Sequence, residues 1–321
     1  MLLGEFDENS SADTVSFEEK HLQSLRALGE LIVYDDVPAR AELERRLIDA
    51  DIAVIGWSTI DDSLLSRATA LKLISLWSTG YDHVDVAAAR ARGIVVTNVP
   101  GYAADTIAEF VIGSMIALSR RFMAAHRHVL DGNYDWKPFK GSEIRGKTLG
   151  IVGTGAIGSR VAGLANALGM SVIATTRDPS AQRAARLRVR YVPFENLLAE
   201  SDIISIHTAL TPETRGLFDA RAFARMKRGA LIVNTARAEV VDKRALGAAL
   251  VAGHLAGAAL DVVDGVPLSP DHVFLTHPNV ILTPHCAFNS REALIAKTDM
   301  CISNIERYIA GAPQHIVNYN E

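Results

Sequence analysis

Cysteine, excess charge of one sign and long apolar runs are all scarce in this sequence of 321 residues. The two cysteines, Cys286 and Cys301, form neither a disulfide framework nor a zinc-type spacing, which favours a reducing compartment. Lys and Arg number 33 against 37 Asp and Glu, and the formal charge of −4 excludes a nucleic-acid binder driven by charge. The longest uncharged run, 272–290, contains two prolines and three histidines, so we expect no membrane-spanning helix there.

The amino terminus shows no targeting pattern. MLLGEFDE reaches an acidic residue at Glu5 without a preceding basic region, so we expect no signal peptide and a soluble, cytoplasmic protein. With 49% hydrophobic and 22% charged residues, the chain can bury a sizeable core. Its length predicts two domains, because single cores seldom grow beyond ~250 to 300 residues.

Short apolar runs rich in β-branched residues alternate with helical patterns along the chain. Before the polar loop 131–146 these runs are ELIVYDD, DIAVIGW, LKLISLW and GIVVTNV, and after it they are TLGIVG, SVIATT, DIISIHT, ALIVNTA, GAALDVV and NVILTPH. Such alternation predicts right-handed βαβ units and parallel sheets. The predicted fold class is therefore α/β, with two doubly wound parallel-sheet domains, the larger a Rossmann dinucleotide-binding domain.

The segment 105–130, between the two blocks, is predicted to be a helix that is apolar on more than one face. Such a helix needs partners on several sides, either in the core at the domain junction or also on another subunit. A final helix over 291–310 is predicted to return to the first domain, since chains often cross a hinge twice.

The motif GTGAIG directly follows the apolar strand TLGIV and precedes a helical run. Gly153 would permit the tight turn, Gly155 the approach of a pyrophosphate and Gly158 the packing of helix on strand. This context predicts a dinucleotide site that also includes Ala156 and Ile157. A kinase loop has the same glycines, but HRD and DFG stretches are missing from the sequence, so we exclude a kinase.

The strand SVIATTR ends in Thr176 and Arg177 at the place where NAD-binding domains usually have an acidic residue. An acid would repel a 2′-phosphate, whereas Thr and Arg could hydrogen-bond it. NADP is therefore the predicted cofactor, with NAD as the alternative. A solvated surface role for Arg177, beside Asp178, stays open.

Three residues that suit oxidoreductase chemistry follow predicted strands, where ligands bind in open α/β sheets. They are Arg237 after ALIVNTA, Asp261 after GAAL and His285 after VILTP. Reduction of a 2-oxo acid needs a cation for the carboxylate and carbonyl and a proton donor for the developing alkoxide, which Arg and His supply. Each residue alone could be structural, Arg237 by pairing with Glu239, but together behind a dinucleotide loop they favour catalysis.

The sequence resembles the D-isomer-specific 2-hydroxyacid dehydrogenase family, which includes glyoxylate and hydroxypyruvate reductases, D-lactate dehydrogenases and phosphoglycerate dehydrogenases. The resemblance covers roughly 71–287 and fades toward both ends. The matching stretches are STGYDHVDVAAARARGIVVTNVPG, IAEFVIG, IRGKTLGIVGTGAIGSRVA, IHTALTPETRGLF, MKRGALIVNTAR, GAALDV and LTHPNVILTPH.

The resemblance implies a role for each matching residue. Arg237 would bind the carboxylate and carbonyl of the substrate, His285 would be the acid/base, and Asp261 would orient the nicotinamide amide and the active site. Thr235 and Ala236, in the NTAR stretch, are expected to bind cofactor. Backbone amides that would hold the substrate carboxylate belong to Ser78, Thr79 and Gly80.

His207, which ends the strand DIISIH, is a further cofactor-binding candidate, although a structural role is equally open. The resemblance also implies a discontinuous substrate domain, 1–98 and 287–321, that closes over a dinucleotide-binding domain, 99–286. A homodimer built around the helix of 105–130 is implied as well. We expect a small-molecule substrate and neither nucleic acid, membrane nor metal as a partner.

One position departs from the family pattern. The stretch DVVDGVPL has Val266 where the family normally has a glutamate that hydrogen-bonds the histidine. Valine gives a His285 imidazolium no negative partner, so we expect reduction to fall off at lower pH than in relatives with the acid, unless Asp264 or Asp271 substitutes.

The leading interpretation is an NADP-preferring reductase of a small 2-oxo acid such as glyoxylate, hydroxypyruvate or pyruvate. Two other functions stay open. One is a dehydrogenase of the formate or phosphite type, whose substrate has no carbonyl that needs a proton, and the other is a dinucleotide-sensing protein with weak or no catalysis.

Overall fold

The chain divides into two compact units in a computed structural model that describes residues 17–34 and 36–319. Unit 1 is drawn from 1–103 and 290–321, and unit 2 is 104–289. The expected lack of a signal peptide concerns residues 1–16, which lie outside the described residues. None of the helices within the described ranges combines the length and the apolar character that crossing a membrane requires.

The described residues form ten strands and thirteen α-helices, numbered along the chain, and two short 3-10 helices, Lys137–Phe139 and Ala238–Val240. The strands are β1 (Ile52–Ile55), β2 (Leu73–Leu76), β3 (Val95–Thr97), β4 (Thr148–Val152), β5 (Ser171–Thr175), β6 (Arg190–Tyr191), β7 (Ile203–Ile206), β8 (Ala230–Asn234), β9 (Leu255–Leu260) and β10 (Val280–Leu282). The helices are α1 (Glu19–Arg26), α2 (Arg40–Leu47), α3 (Asp62–Leu65), α4 (Val86–Ala91), α5 (Ala104–Arg120), α6 (Phe122–Leu130), α7 (Ala156–Ala167), α8 (Ala181–Leu187), α9 (Phe194–Glu200), α10 (Ala220–Arg225), α11 (Lys243–Val251), α12 (Val273–Thr276) and α13 (Arg291–Ile309).

Unit 1 contains a three-stranded parallel sheet in the order β1-β2-β3. Its strands are short apolar runs that are mostly buried, as expected for a parallel sheet covered by helices. The predicted strand ELIVYDD is wrong for the described residues, because only Ile32 forms a β-bridge there and residue 35 is not described. Leu31 and Val33 pack against the core of unit 1 instead, which explains the apolar run without a strand.

Unit 2 contains seven parallel strands in the order β10-β9-β8-β7-β4-β5-β6. Counted within the unit this is 3-2-1-4-5-6-7 from the opposite edge, the Rossmann strand order extended by one strand. One apolar cluster packs α9, α10 and α11 on one face, and another packs α5 and α7 on the other. The predicted α/β class with a Rossmann domain is confirmed, and the six predicted strands of this block are present, but β6 was not predicted.

The predicted single helix over 105–130 is wrong. The chain forms α5 and α6, separated by Arg121, whose φ of 56° lies in the left-handed region. Loop residues pack back onto this break, since the Ser142 N–H donates to the Ser119 carbonyl at 2.9 Å and Arg121 donates to the Pro138 carbonyl. Apolar periodicity continues across the break, so the sequence pattern does not reveal it.

Candidate functional site

The candidate residues of unit 2 lie where its parallel strands end. Hydrogen bonds continue from strand to strand just past these ends: the Gly153 N–H donates to the Thr175 carbonyl at 2.9 Å, and the His207 N–H donates to the Val152 carbonyl at 2.8 Å. Similar bonds follow β8, β9 and β10. The loops after β4, β5, β7, β8, β9 and β10 therefore form one continuous edge.

The loop after β4 has the backbone geometry that its glycines predict. Gly153 adopts φ +94°, and a Cβ there would lie 2.6 Å from the His207 carbonyl oxygen. A Cβ on Gly158 would overlap with the Gly153 carbonyl, whereas a Cβ on Gly155 would meet nothing within 4 Å. Ala156 and Ile157 begin α7, so the first N–H groups of a twelve-residue helix lie next to open space beside Gly155, as an anionic diphosphate requires.

Arg183 and Tyr191, which the sequence analysis did not predict as site residues, fix this loop through Thr154. Arg183, on α8, donates through Nη2 to the carbonyl of Thr154. The Thr154 hydroxyl, which is fully buried, lies 2.9 Å from the Tyr191 hydroxyl. The Arg183 Nε is buried and has no hydrogen-bond partner within residues 17–34 and 36–319. A second guanidinium besides Arg177 is therefore anchored at the first turn of the predicted cofactor site.

Thr176 and Arg177 directly follow β5. Thr176 is half-buried and Arg177 is exposed. The pKa of Glu213 is lowered, mainly by a hydrogen bond from Thr211 and to a lesser extent by the charge of Arg177. The positive charge of Arg177 thus contributes to the potential at the loop that follows β7.

His207 follows β7 and is held inside the fold. Its Nε2 lies 2.8 Å from the Ser205 hydroxyl. Burial lowers the pKa of His207 to about 3, although part of the residue surface stays accessible, so the imidazole is neutral at ordinary pH. The neutral ring is held by Ser205 and supplies no charge to a ligand, while the His207 backbone carbonyl lies against Gly153 of the glycine turn.

The loop after β8 is shaped by Asn234, which is buried. Its side-chain amide donates to the Arg237 carbonyl at 2.9 Å and accepts from the Ala236 N–H at 3.0 Å. The Arg237 guanidinium donates through Nη1 to the Ala236 carbonyl at 3.0 Å. The Thr235 hydroxyl is buried and, in the described part of the chain, has no hydrogen-bond partner. Such a group usually belongs to a polar contact with a ligand or water.

Asp261, which follows β9 and is only 2% exposed, holds the loop that carries His285. One carboxylate oxygen accepts from the Thr283 hydroxyl at 2.6 Å and from the Cys286 N–H at 2.8 Å, and the other accepts from the Ala287 N–H at 2.9 Å. The chain on both sides of His285 is thus bound to a single carboxylate, through a side-chain hydroxyl before it and two backbone N–H groups after it.

His285 itself has a strained backbone. Its φ is 54°, in the left-handed region that non-glycine residues seldom adopt. The His285 N–H donates to the Asp261 carbonyl at 2.8 Å, and the ring meets Phe288 edge to face at a centroid distance of 6.0 Å. Strain kept in place by a buried carboxylate points to a fixed side-chain direction that matters for function.

Arg237, Asp261 and His285 come to the same edge because β8, β9 and β10 are neighbours in the sheet. The Asp261 N–H donates to the Asn234 carbonyl at 2.9 Å, which connects the loop of Arg237 to the loop of His285 through backbone hydrogen bonds. A half-buried guanidinium and an oriented imidazole at one edge can bind an anion, polarise a carbonyl and transfer a proton.

The remaining sequence candidates lie in unit 1, in the loop after β2. The Ser78 hydroxyl donates to the Gly80 carbonyl at 2.7 Å, and the Thr79 hydroxyl donates to the Val99 carbonyl at 2.7 Å. Asn98 donates to the Thr79 carbonyl. Across the described residues, the backbone N–H groups of 78–80 donate to no backbone carbonyl. The loop is thus fixed through its hydroxyls and carbonyls, which leaves its N–H groups available to an anion.

Val266 is 68% exposed. The two acids proposed to compensate for the absent glutamate have partners of their own. The Asp264 carboxylate lies 3.1 Å from the Lys243 ammonium, and a hydrogen bond from Ser269 lowers the pKa of Asp271. These contacts compete with a role of either acid at His285.

The residues of unit 2 fit a nicotinamide dinucleotide. The open space at Gly155, the helix amino terminus behind it and the buried Thr235 hydroxyl meet the needs of a diphosphate and of a polar headgroup. Among residues 17–34 and 36–319, the structure contains no cluster of three or more His, Cys, Asp or Glu side chains that could hold a metal ion.

Comparisons with known proteins agree with this geometry. Residues 112–287 match the family described as "D-isomer specific 2-hydroxyacid dehydrogenase, NAD binding domain". The chain is 37% identical over 313 residues to a glyoxylate reductase of Korarchaeum cryptofilum, covering 95% of this chain and 94% of the relative. It is 38% identical over 294 residues to a glycerate dehydrogenase of Methylorubrum extorquens, covering 88% and 90%.

A solved structure of an acyclic imino acid reductase in complex with NADPH and D-Arg is also similar. Its TM-score is 0.89 and its identity 29%, covering 99% of this chain and 100% of that one. The similarity to these proteins extends over both units of the chain.

Proposed function

Because the chain belongs to the D-isomer-specific 2-hydroxyacid dehydrogenase family, and is thus an oxidoreductase that uses a nicotinamide dinucleotide, we propose that it reduces small 2-oxo acids to D-2-hydroxy acids. The observation that carries this proposal is the placement of Arg237, Asp261 and His285 at the strand edge that also carries the glycine turn. Glyoxylate, hydroxypyruvate and pyruvate are the proposed substrates.

Each residue has a part in the proposed reaction. The bound nicotinamide supplies a hydride to the carbonyl carbon of the substrate. Arg237 binds the carboxylate and carbonyl oxygen, and its charge stabilises the negative charge that develops on that oxygen. His285 donates the proton that completes the hydroxyl group. Asp261 keeps the His285 loop in place through its three hydrogen bonds.

The discontinuous unit, drawn from 1–103 and 290–321, is the proposed substrate domain, and unit 2 is the proposed dinucleotide-binding domain. The N–H groups of the 78–80 loop would hold the substrate carboxylate, as main-chain donors do in many anion sites. Thr235 and Ala236 would contact the nicotinamide end of the cofactor, where the buried Thr235 hydroxyl would find a partner.

The proposed cofactor preference is for NADP over NAD. Thr176 and Arg177 occupy the place at which an acid would bind the ribose hydroxyls of NAD. Arg183 adds a second guanidinium at the Thr154 carbonyl. The 2′-phosphate of NADP is dianionic, so it should bind better next to the two guanidinium groups and the Thr176 hydroxyl than next to a carboxylate.

A second candidate function is reduction of imino acids. Val266 favours this candidate because it replaces the glutamate that would raise the basicity of the histidine. An iminium substrate already carries its proton, so hydride transfer to it does not need an acid strengthened by a carboxylate partner. The similarity to the imino acid reductase described above supports this candidate. A formate or phosphite dehydrogenase and a dinucleotide sensor remain as outcomes of the test.

We also propose a homodimer. Unit 2 exposes apolar side chains on α6 and just after it, among them Leu130 at 65% and Trp136 at 81% exposure. Phe122, Met123 and Val129 are exposed on the same helix. Apolar patches of this kind are uncommon on monomers, and a second copy of this chain presents the same surface to pair with it.

The test is a spectrophotometric assay of NADPH and NADH oxidation with a panel of 2-oxo acids, with and without ammonia or an alkylamine. We expect turnover of at least one 2-oxo acid without amine, with loss of activity in Arg237→Lys and His285→Asn. Turnover that requires the amine would support the imino acid candidate. Turnover only of formate or phosphite with oxidised cofactor, or cofactor binding without any turnover, would overturn the proposal.

A further inference from the structure

A buried lysine of unit 1 contacts Trp77, the residue that precedes the 78–80 loop. Lys297, on α13, is 1% exposed, and its Nζ lies 3.3 Å from the centroid of the Trp77 ring. The Tyr102 ring centroid is 5.3 Å from the same atom. Lysine is among the residues least often buried, because taking an ammonium out of water is costly.

Trp77 is the residue that connects this lysine to the loop. It is buried and is the last residue before Ser78. Its ring face meets Lys297, and its indole N–H donates to the Thr298 hydroxyl at 3.0 Å. Helix α13 thus fixes both the face and the edge of the ring, and through it the start of the loop.

We propose that Lys297 is a specificity-determining positioning residue that gives the 78–80 loop its preference for anionic substrates. This inference rests on the proposed role of that loop in holding the substrate carboxylate. The three N–H groups would supply hydrogen bonds, and Lys297, whose Nζ lies over the Trp77 ring, would add a positive charge. In a medium of low polarity this charge acts on an anion at the loop with little screening by water or salt. It also disfavours substrates with a basic side chain.

The charge can be removed while the packing is kept. Lys297→Met has nearly the same length, and its sulfur makes favourable contacts with aromatic rings, so Trp77 keeps its neighbour. Lys297→Arg keeps the charge and can stack on the ring. Lys72→Met is the matched control, because Lys72 precedes β2 in the same unit but is exposed and pairs with Asp51 at 2.7 Å.

The first readout is binding of oxamate, a non-reacting analogue of a 2-oxo acid, to the full-length protein saturated with reduced cofactor. Calorimetry measures the affinity. We expect Lys297→Met to weaken oxamate binding roughly tenfold or more, and the loss to be the same at low and high salt. Lys297→Arg is expected to recover most of the affinity. Lys72→Met is expected to bind as wild type does.

The second readout compares the best 2-oxo acid with its uncharged methyl ester. We expect Lys297→Met to raise KM for the acid roughly tenfold with kcat changed less than about threefold, and to leave KM for the ester nearly unchanged. Equal losses for acid and ester would show a merely structural role, and unchanged oxamate binding would show no role. Either result overturns the inference while wild-type turnover of the acid upholds the proposed function. A wild-type protein that neither binds oxamate nor reduces any 2-oxo acid would overturn both.

Discussion

Asp261, a buried carboxylate, orients His285 by holding the residues on either side of it. Asp261 accepts hydrogen bonds from Thr283, Cys286 and Ala287, so residues on both sides of His285 are fixed. The left-handed φ of His285 is maintained by these bonds and by the bond from its own N–H to the Asp261 carbonyl. The direction of the imidazole thus depends on a residue 24 positions earlier in the sequence.

Asp261→Asn should impair catalysis by releasing this loop. An amide nitrogen would replace an oxygen that now accepts an N–H, so at least one hydrogen bond is lost. We expect kcat to fall roughly 10- to 100-fold, because small displacements of a reacting group are costly. Steady-state kinetics measures the loss of kcat. Faster amide hydrogen exchange at residues 285–287 would show that the loop has been released. Asp264→Asn, at an exposed acid paired with Lys243, is the control, and equal effects of the two variants would contradict the assignment.

Arg177→Asp should shift the cofactor preference. A carboxylate after β5 repels a 2′-phosphate and can accept from ribose hydroxyls, so the ratio of kcat/KM for NADPH to that for NADH should fall roughly 10- to 100-fold. Arg186→Asp is the control, because it makes the same change of charge at an exposed residue of α8 outside this loop, and it should leave the ratio unchanged. An unchanged ratio in Arg177→Asp would remove the argument for NADP.

Val266→Glu should alter the pH dependence of reduction. In the family pattern the glutamate at this position hydrogen-bonds the histidine, and a carboxylate there would favour the charged imidazole, which is the form that donates the proton. We expect kcat/KM for reduction to persist to higher pH in Val266→Glu than in wild type. Val266→Gln, which adds the same bulk without charge, should follow the wild-type profile. Identical profiles for all three proteins would defeat the interpretation.

At the scale of elements, Asp202 connects three strands of unit 2. It lies just before β7, accepts from the Thr148 N–H at 2.8 Å at the start of β4, and lies 3.1 Å from Lys227 in the turn before β8. Burial raises the pKa of Asp202, but the hydrogen bonds from Thr148 and Lys227 outweigh it, and the pKa is lowered overall. The ionised carboxylate therefore stabilises the sheet.

Asp202→Asn should remove this stabilisation, and the size of the loss should depend on pH. Since the folded pKa is below the unfolded value near 3.9, the stabilisation is complete above about pH 4 and is lost as pH falls through the folded pKa. We expect the free energy of unfolding at pH 7 to drop by about 1 kcal/mol, with the difference from wild type shrinking as the carboxylate of the folded protein becomes protonated at acid pH. Urea unfolding at several pH values measures it, with the exposed Asp178→Asn as control. A difference independent of pH would indicate a cause other than charge.

The sequence predicts elements well where a run of apolar, β-branched residues is long enough to be buried on both faces, as in β4 or β8. It fails for β6, which has two residues with little apolar character. It also fails at Arg121, because the periodicity of α5 and α6 does not change there. ELIVYDD shows the converse, since apolar residues packed on a core need not pair as a strand.

The candidate site was predictable only as far as residues carry a local pattern. The glycine turn and the residues after the strands have such a pattern, and the strand order explains why they share an edge. Arg183 and Lys297 have none, because a charged residue on an amphipathic helix is normally solvated. Only the folded chain shows that one meets the Thr154 carbonyl and the other the Trp77 ring.

At the scale of the whole molecule, the exposed apolar face of α6 predicts self-association. Leu130→Asp places a charge in the proposed dimer surface, where burial would be costly. We expect light scattering to show a dimer for wild type and a monomer for Leu130→Asp at micromolar concentration. Val251→Asp, at another exposed apolar residue of unit 2, should leave the dimer intact. A wild-type monomer would refute the proposed dimer.

Unit 1 is assembled from both ends of the chain, since α13 packs against β2. On the ribosome, the amino-terminal sheet emerges first but must wait for almost the entire polypeptide before this helix is available. The intervening 104–289 segment holds its own sheet and core and can fold in the meantime. A translation product that stops short of residue 290 would thus contain all of unit 2 but a unit 1 that lacks its last helix.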